Sequence, residues 1–330
     1  MNIGIVGTGR MGTGIAQRLL DLGHDVRAWN RTAYKAHDAH EAGAKWTPIL
    51  RDLVRESDIV ISFLYDNESV EHVYLGTHGI LSGRVEGRLF LDMGTVSPQT
   101  HAKIAAALQA RGGDFLECPV SGSIPAARSG QLVGFAGGDA QVFARARPLL
   151  EQLCRRAEFL GPLGAGARMK LAANLLLAVF WQALGESLLV AGSAPSDAGH
   201  VLDLLADSSI GAALLRTRGP QIAAALNGET TRSAAFDVDT MRKDLRYMVQ
   251  EAAARGSALP LASRTLDGFD RAAREGRGHV DSSAYPAYWI TRQKARSPEA
   301  PRSNDWQEPR GSVESLPCGV SGMPERRPAA

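Results

Sequence analysis

Residues 2–6 form a short run of β-forming character, and the chain then turns at once through Gly7-Thr8-Gly9-Arg10-Met11-Gly12 into helical periodicity at Ala16, Leu19 and Leu20. A strand, three glycines at this spacing and a helix leave few options: together they predict the first βαβ unit of a doubly wound sheet. Gly7 permits the tight turn, Gly9 lets the backbone approach a pyrophosphate, and Gly12 lets helix pack on strand. Free amides at the helix N-terminus then face the anion. The loop from Gly7 to Gly12, with Thr8, Arg10 and Met11 between the glycines, is therefore the expected dinucleotide cradle.

The pattern continues for about 160 residues. β-branched runs at 3–6, 25–29, 59–63, 89–92, 115–120, 132–136 and 157–160 alternate with helical stretches, which predicts a mostly parallel sheet covered by helices on both faces. Strand character stops after Gly166. Residues 168–191 hold no proline and a single glycine, Gly185, so they read as one long buried helix joining two domains. Helical periodicity then runs on to about 290, with breaks expected at Gly219-Pro220, Asn227-Gly228, Gly256 and 276–278. The last forty residues carry six of the 16 prolines and no apolar period, too little to repay ordering entropy. The expected organisation is α/β: an N-terminal Rossmann-type doubly wound sheet over 1–162, and a long interdomain helix with a C-terminal all-helical domain over 163–290. A disordered tail is expected over 291–330.

Charge narrows the function. Thirty-seven Lys and Arg against 35 Asp and Glu leave a net +2, which argues against a nucleic-acid binder and for small-molecule chemistry. Cys118, Cys154 and Cys318 are far apart and in no metal-binding spacing, so neither a disulfide framework nor a metal site is expected. The most apolar region, 171–190, is interrupted by Asn174, Gln182 and Glu186 and reads as a buried helix rather than a membrane span. The start of the chain has no signal-peptide pattern, and a cytoplasmic setting is expected.

Cofactor choice is written at the end of the second strand. An NAD-specific site usually carries an acid there for the ribose hydroxyls; this chain has Asn30-Arg31-Thr32 instead. Arg31 can pair with a 2′-phosphate and stack on adenine, while Asn30 and Thr32 can donate to the phosphate oxygens, so NADP is favoured over NAD. Leu64 and Tyr65, just after the run at 59–63, join the expected cofactor set.

The chemical group follows at the start of the long helix. Lys170 and Asn174, four residues apart, leave the same helical face. An ammonium there can polarise a carbonyl and supply the proton that hydride transfer requires, with Asn174 fixing substrate oxygens or orienting the lysine. Loops at 92–98 and 118–123 close two strands and bring Thr95, Ser121, Gly122 and Ser123 to the carboxyl ends of the sheet, where ligands of open α/β folds bind. Further on, Phe236 and the Lys243-Asp244 pair fall on or near a helix of the second domain, where Lys243 can close the site over cofactor or carboxylate with Asp244 orienting it, or the pair can be a helix-surface charge pair.

Taken together, these residues resemble the β-hydroxyacid dehydrogenase family over about 2–290. Its pattern joins a glycine fingerprint, a D-x-[SG]-T-x-S-P loop, a P-V-S-G loop, a G-x-G-x-x-x-K-x-x-x-N segment and a later K-D pair, and all five occur here in order. The resemblance implies that Lys170 is the catalytic acid/base and that Thr95, Ser121, Gly122 and Asn174 surround the substrate. It places Phe236, Lys243 and Asp244 at the edge of the site. Ser123, where many members have glycine, is similar to the glyoxylate and succinic semialdehyde reductase branch, as is the Asn-Arg-Thr element. NADPH-dependent reduction of a small aldehyde acid is thereby implied, by a homodimer or homotetramer. Oxidative 3-hydroxyisobutyrate dehydrogenase activity, an imine reductase-like enzyme and a silent NADPH-binding scaffold stand as alternatives. Imine reductases generally lack a lysine at this position.

Overall fold

The structure, a computed structural model, describes residues 1–191, 198–208, 213–229, 234 and 236–296. Its strands are β1 (Asn2–Val6), β2 (Asp25–Trp29), β3 (Lys45–Trp46), β4 (Ile59–Ser62), β5 (Leu89–Asp92), β6 (Asp114–Glu117), β7 (Val120–Ser121), β8 (Leu132–Gly138) and β9 (Cys154–Phe159). The helices around them are α1 (Arg10–Asp21), α2 (His37–Glu41), α3 (Leu50–Arg55), α4 (Asn67–Leu75), α5 (Pro98–Gln109), α6 (Ile124–Arg128) and α7 (Ala140–Leu153). The second domain holds α8 (Ala165–Val190), α9 (Ala198–Asp207), α10 (Ala213–Leu226), α11 (Val238–Ala254), α12 (Pro260–Ala272) and α13 (Tyr285–Arg296).

The sheet runs β3-β2-β1-β4-β5-β6-β8-β7, with β9 on β8. From β3 to β6 every pairing is parallel, for example Ile3↔Val26 on one side of β1 and Ile3↔Ile59 on the other. Alternate residues feed the two faces: Leu89 and Leu91 enter the core under α1 and α7, and Phe90 enters the one under α3, α4 and α5. With both faces covered, the inner strands β4 and β5 read as nearly unbroken apolar runs, whereas β2, nearer the edge, alternates buried Val26 and Ala28 with half-buried Asp25, Arg27 and Trp29. The strand order reverses direction between β1 and β4, which opens a crevice at their carboxyl ends. Into that crevice run the glycine loop after β1 and Leu64-Tyr65 after β4.

Four expectations are adjusted. The run at 115–120 is two strands, broken at Cys118-Pro119, because β8 turns antiparallel to both β6 and β7. β3 is an extra strand, two residues long and without an apolar signal. The break expected at Gly219-Pro220 is absent: α10 runs through Pro220, whose exposure and that of Arg216, four residues earlier, let the orphaned carbonyl turn to water. Finally, α13 continues to Arg296, past the composition change at 291; residues 297–330, with Cys318, lie outside the described residues. Cys118 and Cys154 are buried free thiols.

Among the described residues α8 is the one helix long and apolar enough to cross a membrane, and here it is the centre of the C-terminal domain. It packs on α11, α12, α13 and, at its N-terminal end, on β8. Leu171, Ala178, Trp181, Leu184 and Leu188 supply the second core.

Candidate active site

The glycine loop has the geometry its sequence predicts. Gly7 has φ +97°, and a Cβ there would lie 2.4 Å from the Phe63 carbonyl oxygen. A Cβ on Gly12 would meet the Gly7 carbonyl oxygen at 2.0 Å, so strand turn and helix touch through backbone alone. Gly9, the N-cap of α1, has no side-chain cap and open space where a Cβ would project. A site needing a close-approaching anion over free helix amides requires that combination, and the loop fits a dinucleotide pyrophosphate.

Beside the loop, the end of β2 is organised by Asn30. Its Oδ1 accepts from Thr8 N at 3.3 Å and its Nδ2 donates to the Thr32 carbonyl at 2.9 Å. Asn30 thus braces one loop against the other, with one proton of its Nδ2 still free to donate. Arg31 is exposed, and Thr32 is half-buried. Lys35, which the sequence reading passed over, joins them: its carbonyl accepts from Thr8 Oγ1 at 3.1 Å, which holds an exposed lysine next to the cradle. Arg10 is exposed at the start of α1, and Met11 packs on the sheet core. Leu64 fills the space between the Gly7 and Gly94 turns.

Lys170 lies one turn into α8 and is only 9% exposed. Among the described residues its Nζ has no hydrogen-bond partner. Burial pushes its ammonium down to about 8; Asp244 opposes that shift and Lys243 adds to it. One turn further, Asn174 donates through Nδ2 to Asp244 Oδ2 at 2.6 Å, and Asp244 is fully buried. Lys243 Nζ stands 2.9 Å from Asp244 Oδ1, an ion pair outside hydrogen-bond angles that leaves this oxygen otherwise unpartnered.

Lys243 is also the bridge between the domains. Its Nζ donates to the carbonyls of Tyr65 and Thr95, each at 2.9 Å, and lies 5.3 and 5.4 Å from the rings of Tyr65 and Tyr247. Tyr247 OH accepts from Asn67 N at 3.1 Å, and Asn67 Oδ1 accepts from Ser97 N at 2.9 Å. The loop after β4, the 92–98 loop and α11 therefore form one cluster around Thr95. Asn67 and Tyr247 escaped the sequence reading because neither belongs to a motif; only the Asn67 position, opening a helix after a buried strand, hinted at it.

Ser121, Gly122 and Ser123 occupy the corner between β7 and α6, and α6 packs on α1, beside the cradle. Gly122 has φ +146°, and a Cβ there would meet Leu132 Cδ2 at 2.7 Å, so the turn admits only glycine. Phe236 precedes α11, the helix that carries Lys243 and Asp244. Its backbone bonds to Asp281 and Ser282, and its ring packs on the helical core, so its contribution is to seat the start of α11.

Comparison with known proteins shows the family and the fold. Residues 2–161 match the NAD binding domain of 6-phosphogluconate dehydrogenase, and 164–289 match the family described as NAD-binding of NADP-dependent 3-hydroxyisobutyrate dehydrogenase. The chain is 30% identical to glyoxylate/succinic semialdehyde reductase 1 of Arabidopsis thaliana, over 86% of this chain and 96% of that one. Among solved structures, 3-hydroxyisobutyrate dehydrogenase of Mycobacterium tuberculosis with L-serine has a TM-score of 0.75 at 28% identity, covering 90% of this chain and 99% of that one. The 3-hydroxyisobutyrate dehydrogenase of Salmonella typhimurium has a TM-score of 0.77 at 26% identity, covering 87% and 99%. With family models matching both domains and a 30% identical relative covered almost end to end, the chain belongs to the β-hydroxyacid dehydrogenase family, the NAD(P)-dependent oxidoreductases acting on hydroxyacids.

Proposed function

We propose that this enzyme reduces a small aldehyde acid, of the class of glyoxylate, succinic semialdehyde and tartronate semialdehyde, with NADPH. One observation carries the reading: a lysine enclosed by protein, with no hydrogen-bond partner, whose acidity burial brings close to neutral pH. Carbonyl reduction needs a hydride, which the nicotinamide supplies when bound, and a proton for the oxygen. The Lys170 ammonium polarises that oxygen and then gives up its proton. Asn174, anchored through its Nδ2 to Asp244, keeps its own oxygen available to the lysine or to substrate. The hydroxyls of Thr95, Ser121 and Ser123 suit the substrate carboxylate.

NADPH is favoured because β2 ends without an acid and with Arg31 and Lys35 exposed beside the cradle. The substrate class is supported by the Arabidopsis relative, which is named for glyoxylate and succinic semialdehyde. The test is nicotinamide absorbance with the three aldehyde acids, each with NADPH and with NADH, and with 3-hydroxyisobutyrate and NADP⁺ in reverse. Turnover of an aldehyde acid, faster with NADPH, is expected. Turnover of 3-hydroxyisobutyrate alone, or cofactor binding with no turnover at all, rejects the proposal.

A further inference from the structure

Behind the site lies a chain of polar side chains from the first domain that no step above uses. His101 on α5 is fully buried, with Nδ1 2.6 Å from Glu117 Oε2 and Nε2 3.1 Å from Asp92 Oδ1. Both carboxylates are fully buried as well. Each has a second task. Glu117 Oε1 accepts from Gly166 N at 2.8 Å and Ala167 N at 3.3 Å, two of the orphan amides in the first turn of α8. Asp92 Oδ1 accepts from Gly94 N at 3.1 Å, at the start of the Thr95 loop, and its Oδ2 accepts from Ser62 Oγ at 2.5 Å. Ser62 Oγ in turn lies 2.8 Å from Tyr74 OH.

The chain closes on itself. From α8 it runs through Glu117, His101 and Asp92 to Gly94 and Thr95; the Thr95 carbonyl accepts from Lys243, Lys243 pairs with Asp244, and Asp244 accepts from Asn174, back on α8. Lys170 sits on the helix between the two attachment points, four residues after Gly166 and four before Asn174. A carboxylate on the first amides of a helix fixes both its start and its rotation.

We propose that His101 and Glu117 are positioning residues: bridged to Asp92, they lock the first turn of α8 against the Thr95 loop and so hold Lys170 in register with the substrate oxygen. The inference rests on the assignment of Lys170 as proton donor. Burial alone would push His101 down, but its bonds to Asp92 and Glu117 outweigh it and raise it to about 9, so the bridge is an imidazolium between two carboxylates. Two unpaired carboxylates would not be tolerated there. Loosening this end of α8 frees Lys170, which faces Asp244, Lys243 and Asn174, to swing toward water and regain an ordinary lysine acidity.

The test uses the full chain with NADPH and succinic semialdehyde, in wild type, Glu117→Gln, Lys170→Ala and the double variant. Glu117→Gln keeps an acceptor for Gly166 N but breaks the charged bridge. Its kcat should fall about 10- to 100-fold, as displacements of about an ångström do. The alkaline limb of its kcat profile should move up from about 8, while the KM for NADPH stays within about twofold. In the Lys170→Ala background the same substitution should cost nothing further. An unchanged kcat and limb in folded Glu117→Gln overturns the proposal, as does an equal loss in both backgrounds. Full turnover of Lys170→Ala would instead sink the proton-donor assignment, a separate result. If Glu117→Gln does not fold, Glu117→Asp, which keeps the charge but shortens its reach to the α8 amides, decides by the same limb: a shift upward supports the proposal, and an unmoved limb overturns it. Independently of turnover, nitrogen-15 spectra of the cofactor-free chain at neutral pH should show both ring nitrogens of His101 protonated, assigned against His101→Gln; one bare nitrogen overturns the bridge.

Discussion

In the proposed reaction the burial of Lys170 does chemical work. In water its ammonium would hold its proton too tightly to release it quickly; at about 8 it is still mostly charged at pH 7 and ready to give the proton up. The sign of the pH dependence follows. Reduction needs the protonated form, so its rate should fall as pH rises through about 8, and oxidation of the hydroxyacid, which needs the neutral amine, should rise through the same value. Initial rates in both directions across pH check this, and parallel profiles would contradict it. Lys170→Ala should lower kcat by about 10²–10⁴ with cofactor affinity little changed. Arg31 carries a different prediction. A charge-assisted contact to the 2′-phosphate is worth about 1.5–3 kcal/mol, so Arg31→Ala should raise the KM for NADPH about 10- to 100-fold and leave that for NADH nearly unmoved. At this scale Lys170 and Asn174 were legible because their four-residue spacing on a helix is itself the signal, and Lys243 and Asp244 because they form a pair in the family pattern. His101, Glu117, Asn67 and Tyr247 were not: each acts through a partner at least nine residues away, and no local pattern marks it.

Among elements, the turn from β1 to α1 shows how three glycines of one motif do separate physical jobs. At Gly12 a methyl group would collide with the Gly7 carbonyl, which neither backbone can yield. Gly12→Ala should therefore destabilise the fold by about 1–3 kcal/mol, read as a lowered Tm, and lose cofactor binding with it. At Gly9 a methyl group meets nothing in the protein, and its φ of −68° suits any residue. Gly9→Ala should keep its Tm and still weaken NADPH binding by about tenfold or more, because the methyl enters the space a pyrophosphate needs. Calorimetric melting beside a binding titration separates the two, and a Gly9→Ala chain that binds NADPH normally would remove the cradle assignment. The inner strands of the parallel half could be read from sequence because burial on both faces writes them as nearly continuous apolar runs, and β2 because it alternates. β3, with two residues and one neighbour, writes nothing, and Pro220 misleads because a surface helix can lose one hydrogen bond to water without ending.

Across the whole molecule, α8 has more apolar surface than one chain covers. Its inner face is spent on the second core, yet Met169 is 43% exposed and Leu176 75% exposed, and Ala172 and Ala183 are also exposed. Offsets of three, seven and fourteen residues from Met169 put all four on one stripe of the helix. A stripe of this kind, continuous along the element that carries Lys170 and Asn174, is what a second copy of the chain would cover. The apolar girth of this helix was visible in the sequence; which side faces out was not, since that depends on how α11, α12 and α13 pack around it. The enzyme is expected to have at least twice the chain mass in light scattering. Leu176→Glu, which sets a charge in the middle of the stripe and touches no core residue, should shift the mass toward the single chain while the far-ultraviolet helical signal is retained. A wild-type protein of single-chain mass at micromolar concentration would leave the stripe without a partner and end the expectation of a homodimer or homotetramer.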